Sequence, residues 1–280
     1  MGDPVMPKAL IIADLHSDMW AERGVDPLSG HDLSDLDLLL IAGDLSNKGH
    51  VQWRYALERL STHIDLDKVH VGPGNHDYYG GRIDREDKLR EAAEAAGAHF
   101  MQKTELIREG ARFLYCTLWT DMALGGLTPE FNRMRAESKM NDHRSIRVEA
   151  QGYRRMSALH SSGVHADHKA WLEERLATPF SGETIVVTHH APHPYSLRGT
   201  TGPGDLPFAY GSDLSDLIGT HQPDMWVHGH THQPADYDLG RTRVLNVSLG
   251  YPPEVDPGRP VGDPMTGLIS WDVPEVSPSP

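Results

Sequence analysis

At 280 residues, with 38% hydrophobic and 24% charged side chains, the chain has room for one large domain or two small ones and the composition of an ordinary globular protein. Its 26 basic and 40 acidic residues give a formal charge of −14, and so acidic a surface disfavours anionic membranes and non-specific binding to nucleic acid. The single cysteine, Cys116, excludes an internal disulfide and a cysteine-based zinc site, while the apolar stretch near the start, Ala9 to Ala13, is too short for a signal segment or a membrane span; a cytoplasmic location is expected.

In chain order, Lys8 to Ala13 is an apolar run that ends in Asp14-Leu15-His16, and Asp37 to Gly43 is a second that ends in Asp44. Asn47 is placed to cap a helix over about Lys48 to Leu60, with Val51, Tyr55 and Leu57 or Leu60 facing inward. Lys68 to Val71 leads through Gly72-Pro73-Gly74 into Asn75-His76-Asp77. Arg85 to Ala96 reads as a helix stopped by Gly97. Arg112 to Leu118 reads as a strand, and Asp167 to Leu176 as a helix with Trp171, Leu172 and Leu176 on one face. Thr184 to Thr188 ends in His189-His190, Ser212 to Ile218 is helix-like, and Asp224 to Val227 ends in His228-Gly229-His230-Thr231-His232. Ala235 to Leu239, Thr242 to Val247 and Gly267 to Trp271 are further strands on short turns, which point to an antiparallel component and a second sheet. The proline- and glycine-rich stretch from about 251 is expected to be mainly surface tail. Trp20, Trp53, Trp119 and Trp171 are expected in or beside the core.

Short apolar runs bounded by turn formers are strands buried on both faces. Alternating with helices, they predict an α/β domain with a largely parallel sheet, whose ligand-binding edge lies at the carboxyl ends of the strands. All five polar clusters fall at such ends. With no internal repeat or linker, residues 1–280 are expected to form a single domain.

The clusters hold the right donors for metal. Asp14 and His16 stand two apart, Asp44 offers a carboxylate able to bridge two cations, Asn75 offers an amide oxygen, and His189, His230 and His232 offer imidazoles. Hard oxygens mixed with imidazoles suit Mn²⁺, Fe²⁺, Zn²⁺, Co²⁺ or Ni²⁺, and seven ligands with one shared suit two ions with positions left open.

These motifs resemble the calcineurin-like metallophosphoesterase superfamily, whose D-x-H, G-D-x-x-D, G-N-H-[DE], H and G-H-x-H pattern stands here as Asp14-Leu15-His16, Gly43-Asp44-Leu45-Ser46-Asn47, Gly74-Asn75-His76-Asp77, His189 and Gly229-His230-Thr231-His232. The resemblance implies a sandwich of two mixed β-sheets flanked by helices. It places Asp14, His16, Asp44 and His232 on one metal, and Asp44, Asn75, His189 and His230 on the other. It also implies hydrolysis of phosphate esters by a metal-bridging hydroxide, with His76 acting on the leaving group and Asp77 expected to hold its imidazole. His190 is expected behind the ligands. Asn47, where the pattern has its last Asp, leaves the metals unthreatened but removes a charge. The absent phosphatase-type extension disfavours a protein phosphatase, and Gly-Asn-His-Asp is closer to the cyclic-nucleotide phosphodiesterase branch. The expected substrate is a small anionic phosphodiester or phosphomonoester; a nuclease of the same superfamily or a non-catalytic metal-binding scaffold are the alternatives.

Between about 119 and 165 lies a probable cap or insert. Within it, Phe131 to Arg155 holds seven basic and three acidic residues, a net +4 in a protein of −14. It is either a solvated helix and loop or a cap that supplies cations to substrate, with His143 and Arg144 as the candidate substrate-binding residues. The loop from Pro192 to Tyr210, with His193 and Arg198, is either a further wall or surface.

Overall fold

The computed structural model describes residues 6–198, 206–253, 255–256 and 261–273; the remainder of the 192–210 loop and of the C-terminal tail lies outside them. In chain order the strands are β1 (Lys8–Ile12), β2 (Leu38–Ala42), β3 (Val69–Gly72), β4 (His99–Phe100), β5 (Thr104–Arg108), β6 (Ala111–Cys116), β7 (Arg147–Val148), β8 (Arg154–Arg155), β9 (Glu183–Thr188), β10 (Met225–His228), β11 (Asp236–Leu239), β12 (Thr242–Asn246) and β13 (Leu268–Ser270). The helices are α1 (Ser17–Ala21), α2 (Gly49–Leu60), α3 (Glu86–Ala96), α4 (Pro129–Lys139), α5 (Asp142–Ser145), α6 (Ala158–Ala177), α7 (Pro207–Tyr210) and α8 (Ser215–His221).

Two mixed sheets result, one ordered β13-β1-β2-β3-β4 and the other β11-β12-β10-β9-β6-β5, with β7 and β8 as a separate hairpin. Strands β1 to β4 run parallel, as do β6, β9, β10 and β12, while β13, β5 and β11 join antiparallel at the edges. Alternation along the strands sets the layers. Ala9, Ile11, Leu38 and Leu40 meet Phe113, Tyr115, Ile185 and Val227 between the sheets. On the outer side of the first sheet, Leu10, Leu39 and Ile41 pack with Trp53, Leu57 and Leu89 of α2 and α3. Leu114, Val186 and Trp226 on the far side of the second pack with Leu172, Leu217 and Ile218 of α6 and α8. Both faces of each sheet are thus covered, which is why the strands read as continuous apolar runs.

Helix α2 departs from the expected face. Trp53, Ala56, Leu57 and Leu60 are buried, whereas Val51 and Tyr55 are exposed, and Asn47 caps nothing because its side chain is engaged elsewhere. The helix starts from Lys48 in left-handed backbone without a side-chain cap. Helix α6 is twice the expected length, running back to Ala158. Trp20, Trp53 and Trp119 are buried, and Trp171 packs partly buried against the outer core of the second sheet.

Candidate metal centre

Where the parallel strands end, the chain turns sharply. Asp14 (φ 55°), His16 (40°), Asp44 (55°), His230 (67°) and His232 (48°) all adopt left-handed backbone, which costs a non-glycine residue roughly 1–3 kcal/mol. Strain gathered on five expected ligands marks a functional site, and cross-loop bonds hold it. Asp14 N donates to Gly43 O and His16 N to Asp44 O, both at 3.0 Å, and His230 N donates to Asp14 Oδ2 at 2.8 Å. The loops approach so closely that a Cβ on Gly74 would stand 2.2 Å from Asp44 Oδ1. Glycine is required there.

Asp14, His16 and Asp44 lie wholly inside the protein, as do Asn75 and His189, and His230 and His232 are buried. His232 Nε2 stands 3.1 Å from Asp14 Oδ1 and 3.3 Å from His16 Nε2. His189 Nε2 stands 2.9 Å from Asn75 Oδ1 and 3.5 Å from Asp44 Oδ2, while His189 Nδ1 donates to Ala42 O at 3.0 Å, leaving Nε2 for the site. The donors form two adjoining groups, Asp14 with His16 and His232, and Asp44 with His189 and His230; Asp44 also reaches His16 and His76. Among the described residues, His230 Nε2 is buried without a hydrogen-bond partner, and Asp14 Oδ1 meets no donor besides the His232 imidazole. Buried lone pairs converging with so few donors among them fit a divalent pair, and the residues present suit it.

The electrostatics agree. Burial alone would raise the Asp44 carboxyl, but His189, His76 and His16 outweigh it and hold the group well below the carboxylate range. Asp14 is likewise pulled down against burial, chiefly by His232. Burial lowers His189, yet Asp44 and Asp14 raise it to about 9. Burial and the neighbouring His189 push His230 down to about 3. Two carboxylates and a ring of imidazoles already share one charge network.

Asp77 does not touch the His76 ring, contrary to expectation. Its Oδ2 accepts from Asp44 N and Gly74 N at 2.8 Å, and its Oδ1 accepts from Ser46 N and from Trp53 Nε1 at 2.6 Å, so it braces the two ligand loops. The residue that holds His76 is Asn47, whose Oδ1 lies 2.9 Å from His76 Nδ1. Asn47 Nδ2 donates to Asp18 Oδ2 at 2.9 Å. That bond turns the amide oxygen to the imidazole, which must then carry its proton on Nδ1. On the other side, the Tyr251 hydroxyl lies 3.2 Å from His76 Nε2, and its ring packs on His16 and His232 at centroid distances of 4.4 and 4.5 Å. Tyr251 opens the stretch that the sequence alone reads as surface tail. Nothing in its local sequence separates it from the prolines and glycines that follow. Asn47 was legible only as a departure from a pattern.

A cavity of about 320 Å³ opens over these groups. Asp44, Asn75, His76, His230 and His232 face it, Tyr79, Tyr210, Tyr251, Met140 and Leu206 wall it, and Lys139, Asn141 and Asp256 complete its lining. The insert therefore contributes, but not through the expected pair. His143 is buried, with Nδ1 3.0 Å from Met156 O, and Arg144 donates to the Ser138 carbonyl; neither lines the cavity, to which the insert contributes Lys139, Met140 and Asn141, just before α5. Leu206 and Tyr210 come from the 192–210 loop, whereas His193 sits against Tyr195 and Arg198 lies over the Tyr195 ring. His190 packs on Trp119 and His230, with Nδ1 near Thr117 O, behind the donors as expected.

Residues 7–234 match the family described as calcineurin-like phosphoesterase. No curated protein matches the chain. Among solved structures, it is similar to phosphopantetheinyl hydrolase from Mycobacterium tuberculosis, with a TM-score of 0.71 at 19% identity over 98% of this chain and 99% of that one. It is also similar to TT1561 of Thermus thermophilus, with a TM-score of 0.46 at 16% identity over 88% and 90%.

Proposed function

Because the chain belongs to the calcineurin-like phosphoesterase family, and is with it a binuclear, divalent-metal-dependent hydrolase, we propose that it cleaves small phosphodiesters with His76 at the leaving group. Asp14, His16, Asp44 and His232 would hold one cation, and Asp44, Asn75, His189 and His230 the other. When bound, the pair supplies charge compensation for the phosphoryl oxygens and a water acidic enough to attack phosphorus near neutral pH.

The orientation of His76 carries the reading. With Nδ1 held by Asn47, Nε2 is turned to the cavity, 4.0 Å from Asp44 Oδ2. With Nδ1–H already given to Asn47, the second proton of the imidazolium, at Nε2, is placed to pass to the departing ester oxygen, which spares the site a free alkoxide. The Tyr251 hydroxyl steadies that nitrogen and can donate to the same oxygen.

The lining favours a diester. Beyond the donors, Lys139 and Asp256 are the charged groups around the cavity among the described residues, and they cancel. A dianionic monoester calls for further cations, whereas a monoanionic diester needs fewer and gains a seat for its second substituent against Tyr79, Tyr210, Met140 and Leu206. No described helix is long and apolar enough to cross a membrane. A buried lone thiol at Cys116 is in keeping with the proposed cytoplasmic location.

The test is to strip the protein of metal, restore Mn²⁺ and compare bis(p-nitrophenyl) phosphate with p-nitrophenyl phosphate. Metal-dependent turnover with the higher kcat/KM on the diester is expected. Asp44→Asn should abolish it, and His76→Ala should lower kcat by roughly 10²–10⁴-fold on a diester with an alkyl leaving group and by less on the nitrophenyl ester. A higher kcat/KM on the monoester would overturn the diester reading, and full activity of His76→Ala on the alkyl diester would remove that residue from the chemistry. The shared fold makes phosphopantetheine esters natural members of the wider substrate panel.

A further inference from the structure

We propose that Asp142, a residue of the insert, is the positioning residue that turns the Asn75 amide oxygen toward its cation, and that insert docking is thereby coupled to occupancy of that metal position. The inference rests on the two-metal reading above.

An asparagine amide has two ends of the same shape and opposite polarity. The oxygen attracts a cation and the NH₂ group repels it, so something must select the orientation. Asp142 Oδ1 stands 2.8 Å from Asn75 Nδ2, and an ionised carboxylate can only accept. The Tyr79 hydroxyl donates to the same Oδ1 at 2.7 Å and lies 3.3 Å from Asn75 Nδ2. Together they fix the NH₂ end away from the site and leave Asn75 Oδ1 facing His189 Nε2 at 2.9 Å, where Asp44 and His230 also converge. Asp142 is itself buried, at 4% exposure. A carboxylate taken out of water at that cost belongs to a site that uses it.

Asp142 opens α5, and the chain that follows it is stitched to the loop that carries Asn75. Gly80 N donates to Ser145 O at 3.1 Å, Ile83 N to Arg147 O at 3.0 Å, and Arg147 N to Gly81 O at 3.1 Å. A cation on Asn75 Oδ1 polarises the amide and strengthens its N–H bond to Asp142. Linkage is reciprocal, so whatever the insert adds to metal affinity, the metal returns to the insert.

The experiment titrates metal-free protein with Mn²⁺, following bound metal per chain, the electron paramagnetic resonance spectrum and amide exchange across residues 129–156. Wild type should bind two ions, give a spin-coupled spectrum and show slowed exchange across the insert. Asp142→Asn should keep one ion tightly, weaken the second roughly 10–100-fold and show the spectrum of an isolated ion; Tyr79→Phe should move the same way by less. Two ions with unchanged affinity and coupling in Asp142→Asn would overturn the proposal and leave the two-metal reading intact. If Asp142→Asn fails to fold, exchange across the wild-type insert that does not change with Mn²⁺ overturns the coupling. Wild type that binds fewer than two ions overturns both.

Discussion

A buried carboxylate with four donors aimed at it is difficult to replace. Burial and the nearby Asp44 raise the Asp77 carboxyl to about 7, against hydrogen bonds from Trp53, Gly74 and Ser46. Asp77→Ala would strand those donors inside the protein, at about 1–3 kcal/mol for each left unsatisfied. A loss of about 3–5 kcal/mol overall is expected, seen as a thermal midpoint lowered by roughly 10 °C, and a midpoint within a degree or two of wild type would dismiss the bracing role. Asn47 gives the opposite signature. Half-buried and joined to His76 and Asp18, it should be removable with little loss of stability. In Asn47→Ala the imidazole loses its fixed tautomer, so kcat should fall about 10–100-fold with KM nearly unchanged. The loss should be larger for alkyl than for nitrophenyl leaving groups, and an equal loss on both would show that His76 is not being positioned as an acid.

At the scale of elements, the ligand-bearing strands were legible because each is a short apolar run that stops at a polar donor, and parallel pairing brings such stops to one edge. Helix α2 was legible in extent but misread in facing. Trp53, Ala56, Leu57 and Leu60 stand at i, i+3, i+4 and i+7, an apolar face in plain view once the tryptophan rather than Val51 is taken as anchor. The consequence is measurable: Leu57→Ala should cost about 2–5 kcal/mol, while Tyr55→Ala should stay within about 0.5 kcal/mol, as urea denaturation would show. A reversal would restore the face first expected. The two-residue strands β4, β7 and β8 carry no period to read, and Asp142 and Tyr251 reach the site across 67 and 175 residues of sequence from Asn75 and His76. Contacts of that range are made by the fold, and no local pattern encodes them.

Across the whole molecule, histidines outside the metal centre serve a second purpose, which pH exposes. The chain leaves β6 through Leu118 and Trp119, both in left-handed backbone (φ 71° and 57°), an uncommon conformation for bulky residues. Helix α6 holds this turn at the entrance to the insert. Leu118 N donates to His168 Nδ1 at 3.2 Å, and His165 Nδ1 lies 3.2 Å from Leu118 O. To accept from Leu118, His168 Nδ1 must be unprotonated, and burial drives its pKa down to about 3, with Lys103 and His165 adding to burial and Asp167 opposing it. The ordinary value in the unfolded chain is 6.5. Below that pH the unfolded state takes up a proton that the folded state refuses, so stability falls as pH drops from about 6.5 toward 3, by about 1.4 kcal/mol per unit. At pH 5 the expected loss from this one group is about 2 kcal/mol. Asparagine places an acceptor near the Nδ1 position without titrating. His168→Asn should therefore start less stable at pH 7 and close on wild type by about 2 kcal/mol by pH 5, while metal lost from the centre in acid affects both proteins alike. Parallel stability curves for the two proteins between pH 7 and 5 would show that His168 is not a source of the acid sensitivity.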